Sequence, residues 1–187
     1  MRIVKESYGT NIFEDQNKDI ITELVQILNT EEYPPDEIRK INRPQKKVGK
    51  GQPKAKSQVS ARRIIRKRLD SALSRNWRKQ IDLHSGGRIP SMKLHYLRER
   101  VGLIISMQHR TSIGTDLIRL EVANRHPINL IDLGIFICGT KGFEEYYFGT
   151  EKKSSENMII FEEVKEYLNA IGNIISVPLI IIGIESP

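Results

Sequence analysis

Three almost continuous apolar segments constrain the fold of this chain more than any other feature of its sequence. They occupy residues 101–107, 130–138 and 177–184. Each is far shorter than the roughly 20 apolar residues that a membrane-spanning helix needs. Apolar side chains on both faces of a strand are typical of a sheet that helices cover on both sides. The three segments therefore predict the buried inner strands of such a sheet, and no membrane span.

The rest of the chain supplies helices and outer strands for this sheet. Apolar residues recur at helical spacing in four segments, 17–29, 59–77, 114–124 and 155–171. Residues 2–8 predict a short edge strand, and alternating segments at 80–84 and 93–97 predict a hairpin. This order describes an α/β fold with a mixed central β-sheet flanked by helices. We expect all 187 residues to form one domain.

The charges of the chain are concentrated in one block. Residues 39–81 contain 16 basic side chains and a single acid, Asp70, so the block carries +15 while the remainder carries −8. Basic residues that only solvate a surface are usually mixed with acidic ones. A one-sided block of this size is typical of a protein that binds a polyanion.

The block has two parts with different physical properties. Residues 43–58 contain two prolines, two glycines and little to bury, so we expect a flexible basic arm. Residues 59–77 form an amphipathic pattern that places arginines outside the apolar stripe. No series of aromatic residues accompanies them, which favours a duplex backbone over stacked single-stranded bases. The candidate DNA-binding residues are Lys46, Lys47, Lys50, Arg62, Arg63, Arg66 and Lys67.

The cysteine content and the amino-terminal residues indicate the cellular compartment of the protein. The one cysteine, Cys138, excludes an internal disulfide and a cysteine-rich zinc site, and its apolar surroundings predict a buried side chain. The first residues lack the apolar core of a signal peptide. We therefore expect a reduced, cytoplasmic protein.

Several segments resemble the type II restriction endonucleases of the BglII and BstYI kind. The resemblance rests on the opening Met-Arg-Ile-Val, on Gly51-Gln52 with the helix that runs to Trp77, on residues 100–117, and on the final strand Val-Pro-Leu-Ile-Ile-Ile-Gly-Ile. It implies the restriction-endonuclease-like PD-(D/E)xK fold. It also implies a homodimer that wraps double-stranded DNA, reads a short palindrome and cuts each strand with Mg²⁺.

The catalytic residues of that family do not carry over. In that family an aspartate on one strand is followed nine residues later by a glutamate and two further on by a glutamine. On this sequence these positions fall on His95, Ile104 and Ser106. A shifted alignment recovers Gln108 but still no carboxylate. Mg²⁺ prefers oxygen ligands, usually including carboxylates, and an isoleucine offers none. The plain alignment thus predicts that the metal site is missing.

Two other arrangements stay open. Glu99, Asp116 and Glu121 are candidates for a displaced metal site, although Asp116 or Thr115 is more simply interpreted as a helix cap and Glu121 as a surface residue. His84, His95 and His109 lie on or near three consecutive predicted strands and are candidates for a softer metal or a general base. Their spacing matches no known ligand pattern.

Three functions follow. The first is a site-specific, homodimeric protein that binds duplex DNA on a nuclease scaffold whose cleavage is lost or relocated. The second is an active Mg²⁺-dependent endonuclease that uses the displaced carboxylates. The third is an RNA-binding protein whose basic arm folds on contact. Only the second requires a cofactor.

Overall fold

The structure is a computed structural model that describes residues 3–9, 11–30, 61–73, 75–83, 92–107, 109–125, 127–148, 158–171 and 174–185. The strands within this part are β1 (Ile3–Tyr8), β2 (Arg78–Asp82), β3 (Lys93–Arg98), β4 (Val101–Ile105), β5 (Leu133–Gly139) and β6 (Leu179–Ile184). The helices are α1 (Asn11–Gln16), α2 (Lys18–Thr30), α3 (Ala61–Ala72), α4 (Ile113–Asn124), α5 (Lys141–Phe148) and α6 (Phe161–Ile171). A short 3₁₀ turn at Arg110–Ser112 precedes α4.

The strands form one mixed sheet in the order β1-β6-β5-β4-β3-β2. The inner strands β4, β5 and β6 are parallel, and all of their residues are buried. The outer strands β1, β2 and β3 are antiparallel to their neighbours. The predicted α/β fold with a mixed, helix-flanked sheet is confirmed, because the three apolar segments form its centre.

Helices cover both faces of the sheet. On one face, apolar residues of α2 and α3 pack against alternate residues of the inner strands; they include Leu24, Leu28, Leu69, Leu103 and Ile135. On the other face, α4 and α6 bury Leu117, Leu120, Val164 and Leu168 against a set that includes Ile104, Phe136 and Ile181. Each fully buried side chain of this size contributes about 1.5–3 kcal/mol of transfer free energy.

Two helix boundaries differ from the sequence prediction. The helix predicted to reach Trp77 ends at Ala72, and the chain turns at residues 75–76 before β2. Trp77 is nevertheless only 3% exposed, because the turn returns its ring to the core that α3 also packs against. The last predicted helix begins at Phe161, since Met158 and Ile160 form isolated bridges with His109 and Gly139.

Some sequence predictions lie outside the described residues. They include the basic arm at 43–58 with Lys46, Lys47 and Lys50, together with His84 and Gln108. Cys138 is buried as predicted, and burial raises the pKa of its thiol. No helix among the described residues combines the length and apolar character needed to cross a membrane.

Candidate functional site

The strand pair β3–β4 carries the residues that align with the catalytic pattern. Its regular pairing runs from Arg98–Val101 to Tyr96–Leu103. Beyond that point, the backbone N–H of Ile105 donates to Nδ1 of the buried His95 over 2.8 Å. The imidazole therefore accepts a strand N–H as a backbone carbonyl does elsewhere in a ladder. Because Nδ1 is the acceptor, the neutral ring carries its hydrogen on Nε2.

Ile104 occupies the second aligned position and belongs to the apolar core. Its exposed fraction is 0%, and it lies in the cluster that contains Leu117 and Leu120 of α4. A carboxylate in this environment would be strongly disfavoured in its charged form unless a cation accompanied it. The residue at this position therefore contributes packing rather than a ligand atom.

Ser106 occupies the third aligned position and connects β4 to α4. Its N–H donates to the carbonyl of Ile137 over 2.7 Å, and its Oγ donates to Oδ2 of Asp116. Asp116 is 4% exposed, and its Oδ1 accepts a 2.7 Å hydrogen bond from Arg119. Both oxygens of this buried carboxylate are thus engaged, one by a hydroxyl and one by a guanidinium.

Asp116 is not the helix cap that the sequence suggests. The N-cap of α4 is Ser112, whose side chain makes no capping hydrogen bond, and Thr115 is exposed. Asp116 lies in the first turn and faces inward. Arg119 is not among the residues predicted from the sequence, although its spacing of three residues from Asp116 is a known signal of a helical ion pair.

Glu121 is buried rather than on the surface, which corrects the simpler prediction. It is 6% exposed and accepts hydrogen bonds from the N–H and Oγ of Ser176, the N–H of Val177 and the guanidinium of Arg125. Burial alone would raise the pKa of Glu121, but these hydrogen bonds outweigh it and hold the pKa below its ordinary value. The carboxylate fixes the segment before β6 to α4.

The proposed substitute carboxylates are not brought together. Glu99 lies in the turn between β3 and β4 with a positive φ of 51°, and its side chain is exposed beside Arg98. Asp116 and Glu121 are held by the separate sets of partners given above. Across the described ranges, no three His, Cys, Asp or Glu side chains converge as metal ligands. His109 is exposed and forms an isolated bridge with Met158, whereas His95 is buried and contacts Ile105.

The described part of the basic block presents cations to solvent. Lys67, Arg75 and Arg78 are exposed, Arg66 is half-buried, and Arg62 and Arg63 lie on α3. Asp70, the one acid of the block, accepts a 3.2 Å hydrogen bond from the Tyr96 hydroxyl and pairs with Lys79 at 3.2 Å. Its negative charge therefore offsets little of the block.

Comparisons with known proteins identify the family. The family model for restriction endonuclease BglII/BglIII matches residues 1–184. The crystal structure of restriction endonuclease BglII complexed with a DNA 16-mer superposes with a TM-score of 0.64 at 12% identity. The superposition covers 100% of this chain and 78% of that chain, and at this identity it shows a common fold. No curated protein matches. Over almost its whole length, then, the chain belongs to the restriction endonuclease BglII/BglIII family.

Proposed function

We propose that this chain binds double-stranded DNA as a homodimer, recognises a short specific site, and does not cut it by the Mg²⁺-dependent route of its family. Three separate arguments support these parts of the proposal. Family membership and the charge distribution support DNA binding, the family resemblance supports a dimer, and the residues beside β4 support the loss of cleavage.

The support for DNA binding is electrostatic. A block of +15 attached to a remainder of −8 gives the molecule a strongly directional field. Binding of its lysines and arginines to phosphates would release counterions from the duplex. Arginine matches phosphate oxygens in a bidentate manner, which favours the arginine-rich helix α3 as a backbone contact.

The observation that carries the loss of cleavage is the chemistry of the three aligned positions. They hold an imidazole whose Nδ1 is already engaged, a fully buried isoleucine, and a serine bonded to Asp116. Mg²⁺ takes hard oxygen ligands and is commonly bound by one or two carboxylates. Asp116, the carboxylate that Ser106 contacts, is already engaged by Ser106 and Arg119. These residues do not fit the ion that the family uses.

Selection from a random pool tests site recognition and symmetry together. The purified full chain is incubated with a pool of duplexes that contain a random segment, and the bound fraction is sequenced. A two-fold symmetric dimer reads two equivalent half-sites, so the proposal predicts one enriched palindrome. Enrichment of a non-palindromic site would contradict the dimer, and no enrichment would contradict site recognition.

Competition tests the class of nucleic acid. A labelled duplex that carries the selected site is challenged with unlabelled duplex DNA and with structured RNA of equal length. Duplex DNA should displace the probe at the lower concentration. Displacement by RNA at the lower concentration would replace this proposal with the RNA-binding function.

A further inference from the structure

Arg119 makes fewer hydrogen bonds than its burial would lead one to expect. Its side chain is 23% exposed, so most of the side chain is removed from water. Among the described residues, its acceptor is Oδ1 of Asp116, and its buried Nε has no partner there. A guanidinium offers five N–H donors, and a buried donor without an acceptor is unfavourable.

Two arginines at the other end of α4, near its C-cap, are better satisfied. Arg100 donates to both oxygens of Asp132, to the carbonyl of Asn129 and to the side chain of Asn129. Arg125 donates to Glu121 and to the carbonyl of Ile174. Arg119 differs from these arginines in donating to one acceptor among the described residues. Because its Nε is buried, the donors that a ligand can reach are those of its terminal nitrogens.

We propose that Arg119 binds a phosphate oxygen of duplex DNA beside the position where active relatives hold their metal. This inference rests on the proposed function, because Ser106 aligns with the cutting centre and that centre must meet the DNA backbone in order to cleave it. A guanidinium can bridge two anions, with one edge toward Asp116 and its remaining donors toward a phosphate. Asp116 orients the arginine, and Ser106 orients Asp116.

The electrostatics of the site support this assignment. Asp116 and Arg119 together carry no net charge, so the pair does not repel a phosphate as two free carboxylates would. The guanidinium lies in a partly buried environment where its interaction with an anion is less screened than at an open surface. The guanidinium, with Asp116 as its counterion, thus performs the anchoring part of a metal ion's task, without its chemistry.

The test measures how affinity for one duplex depends on salt. Each phosphate contact contributes about 0.9 to the slope of log affinity against log salt concentration for B-form DNA. Arg119→Ala should therefore lower the slope by about 0.9 on any duplex sequence. Between 50 and 200 mM salt, the factor by which its affinity falls should be about three to four times smaller than the factor for the natural protein.

Two further variants separate a direct contact from general charge and from folding. Arg125→Ala removes one positive charge from the end of the same helix and should leave the slope unchanged. Asp116→Asn with Arg119→Gln keeps the net charge and leaves no buried ion unpaired, so it reports on the contact even if Arg119→Ala unfolds. It should show the same lowered slope.

The three variants together either support or overturn the contact between Arg119 and a phosphate. A slope lowered in both Arg119 variants and unchanged in Arg125→Ala supports the contact. An unchanged slope in the charge-neutral double variant overturns it, and so does an equal fall in Arg125→Ala. If the natural protein itself binds duplex DNA without dependence on salt, the proposed function fails first, and this contact fails with it.

Discussion

Ser106 Oγ donates a hydrogen bond to Oδ2 of Asp116, and this bond joins the end of β4 to the first turn of α4. The two residues come from a strand and the helix that follows it, and both are buried. Hydrogen bonds to a charged partner are stronger than neutral ones, so the contact fixes the helix relative to the sheet. The position that aligns with a catalytic glutamine thus has a structural role.

The first prediction concerns this bond. Ser106→Ala leaves the buried Asp116 carboxylate with one partner fewer, and should lower the free energy of unfolding by about 1–3 kcal/mol. Ser112→Ala is the matched control, because the Ser112 hydroxyl donates to a carbonyl in an exposed turn and should matter much less. Urea unfolding of the three proteins measures the difference. Equal losses in both variants would contradict the assigned role.

The second prediction concerns the missing metal site. A variant with His95→Asp, Ile104→Glu and Ser106→Gln restores the family pattern, and it buries a carboxylate at position 104. It should be less stable than the natural chain without divalent ions and should gain thermal stability when Mg²⁺ is added, because the ion compensates the buried charge. The natural chain should show no such gain.

The control for the rebuilt site replaces only its charge. A variant with His95→Asp, Ile104→Gln and Ser106→Gln has nearly the same shape, but the group at position 104 is neutral. Its thermal response to Mg²⁺ should be much smaller. A natural chain that Mg²⁺ stabilises as strongly as the rebuilt one would show that its own residues hold the ion.

The third prediction concerns Glu121 and pH. Its pKa lies below the ordinary value in the folded state, so the ionised carboxylate stabilises the fold. This contribution is complete above the unfolded-state pKa near 4.5 and is lost as the pH falls through the lower folded value. Glu121→Gln removes it by weakening the contacts with Ser176 and Arg125. At pH 7 the variant should be less stable by about 2–4 kcal/mol.

The pH series distinguishes this linkage from a loss of packing. The difference in unfolding free energy between the natural chain and Glu121→Gln should stay constant at neutral pH and shrink below about pH 4.5. Glu99→Gln is the matched control, since Glu99 is exposed in a turn. A difference that persists at low pH would contradict the charge-based account.

The sequence predicted the fold more completely than the polar contacts. The strands β4, β5 and β6 are apolar on both faces, and this pattern has few explanations other than a covered sheet. The predicted C-terminal end of α3 was wrong. Trp77 continues the helical spacing of apolar residues, but the chain has already turned toward β2 at that point. The spacing of apolar residues indicates which side chains share a core. A turn can keep that spacing even though the helix has ended.

The polar residues were harder to assign, because their partners are distant in the chain. Glu121 meets Ser176, which lies 55 residues away, and spacing along α4 alone gave no sign of that contact. The family resemblance placed the catalytic pattern on His95, Ile104 and Ser106, and this assignment stays a prediction. The buried hydrogen bonds of His95 and Ser106 became visible only when β3, β4 and α4 were assembled.

We expect the chain to bind duplex DNA without cutting it. One mixture tests both parts: a labelled duplex that contains the selected site, the full chain, and Mg²⁺ or Mn²⁺, analysed on native and on denaturing gels over a salt series. The complex should dissociate as the salt concentration rises, and both strands should stay intact. Discrete fragments on the denaturing gel, or a complex indifferent to salt, would contradict it.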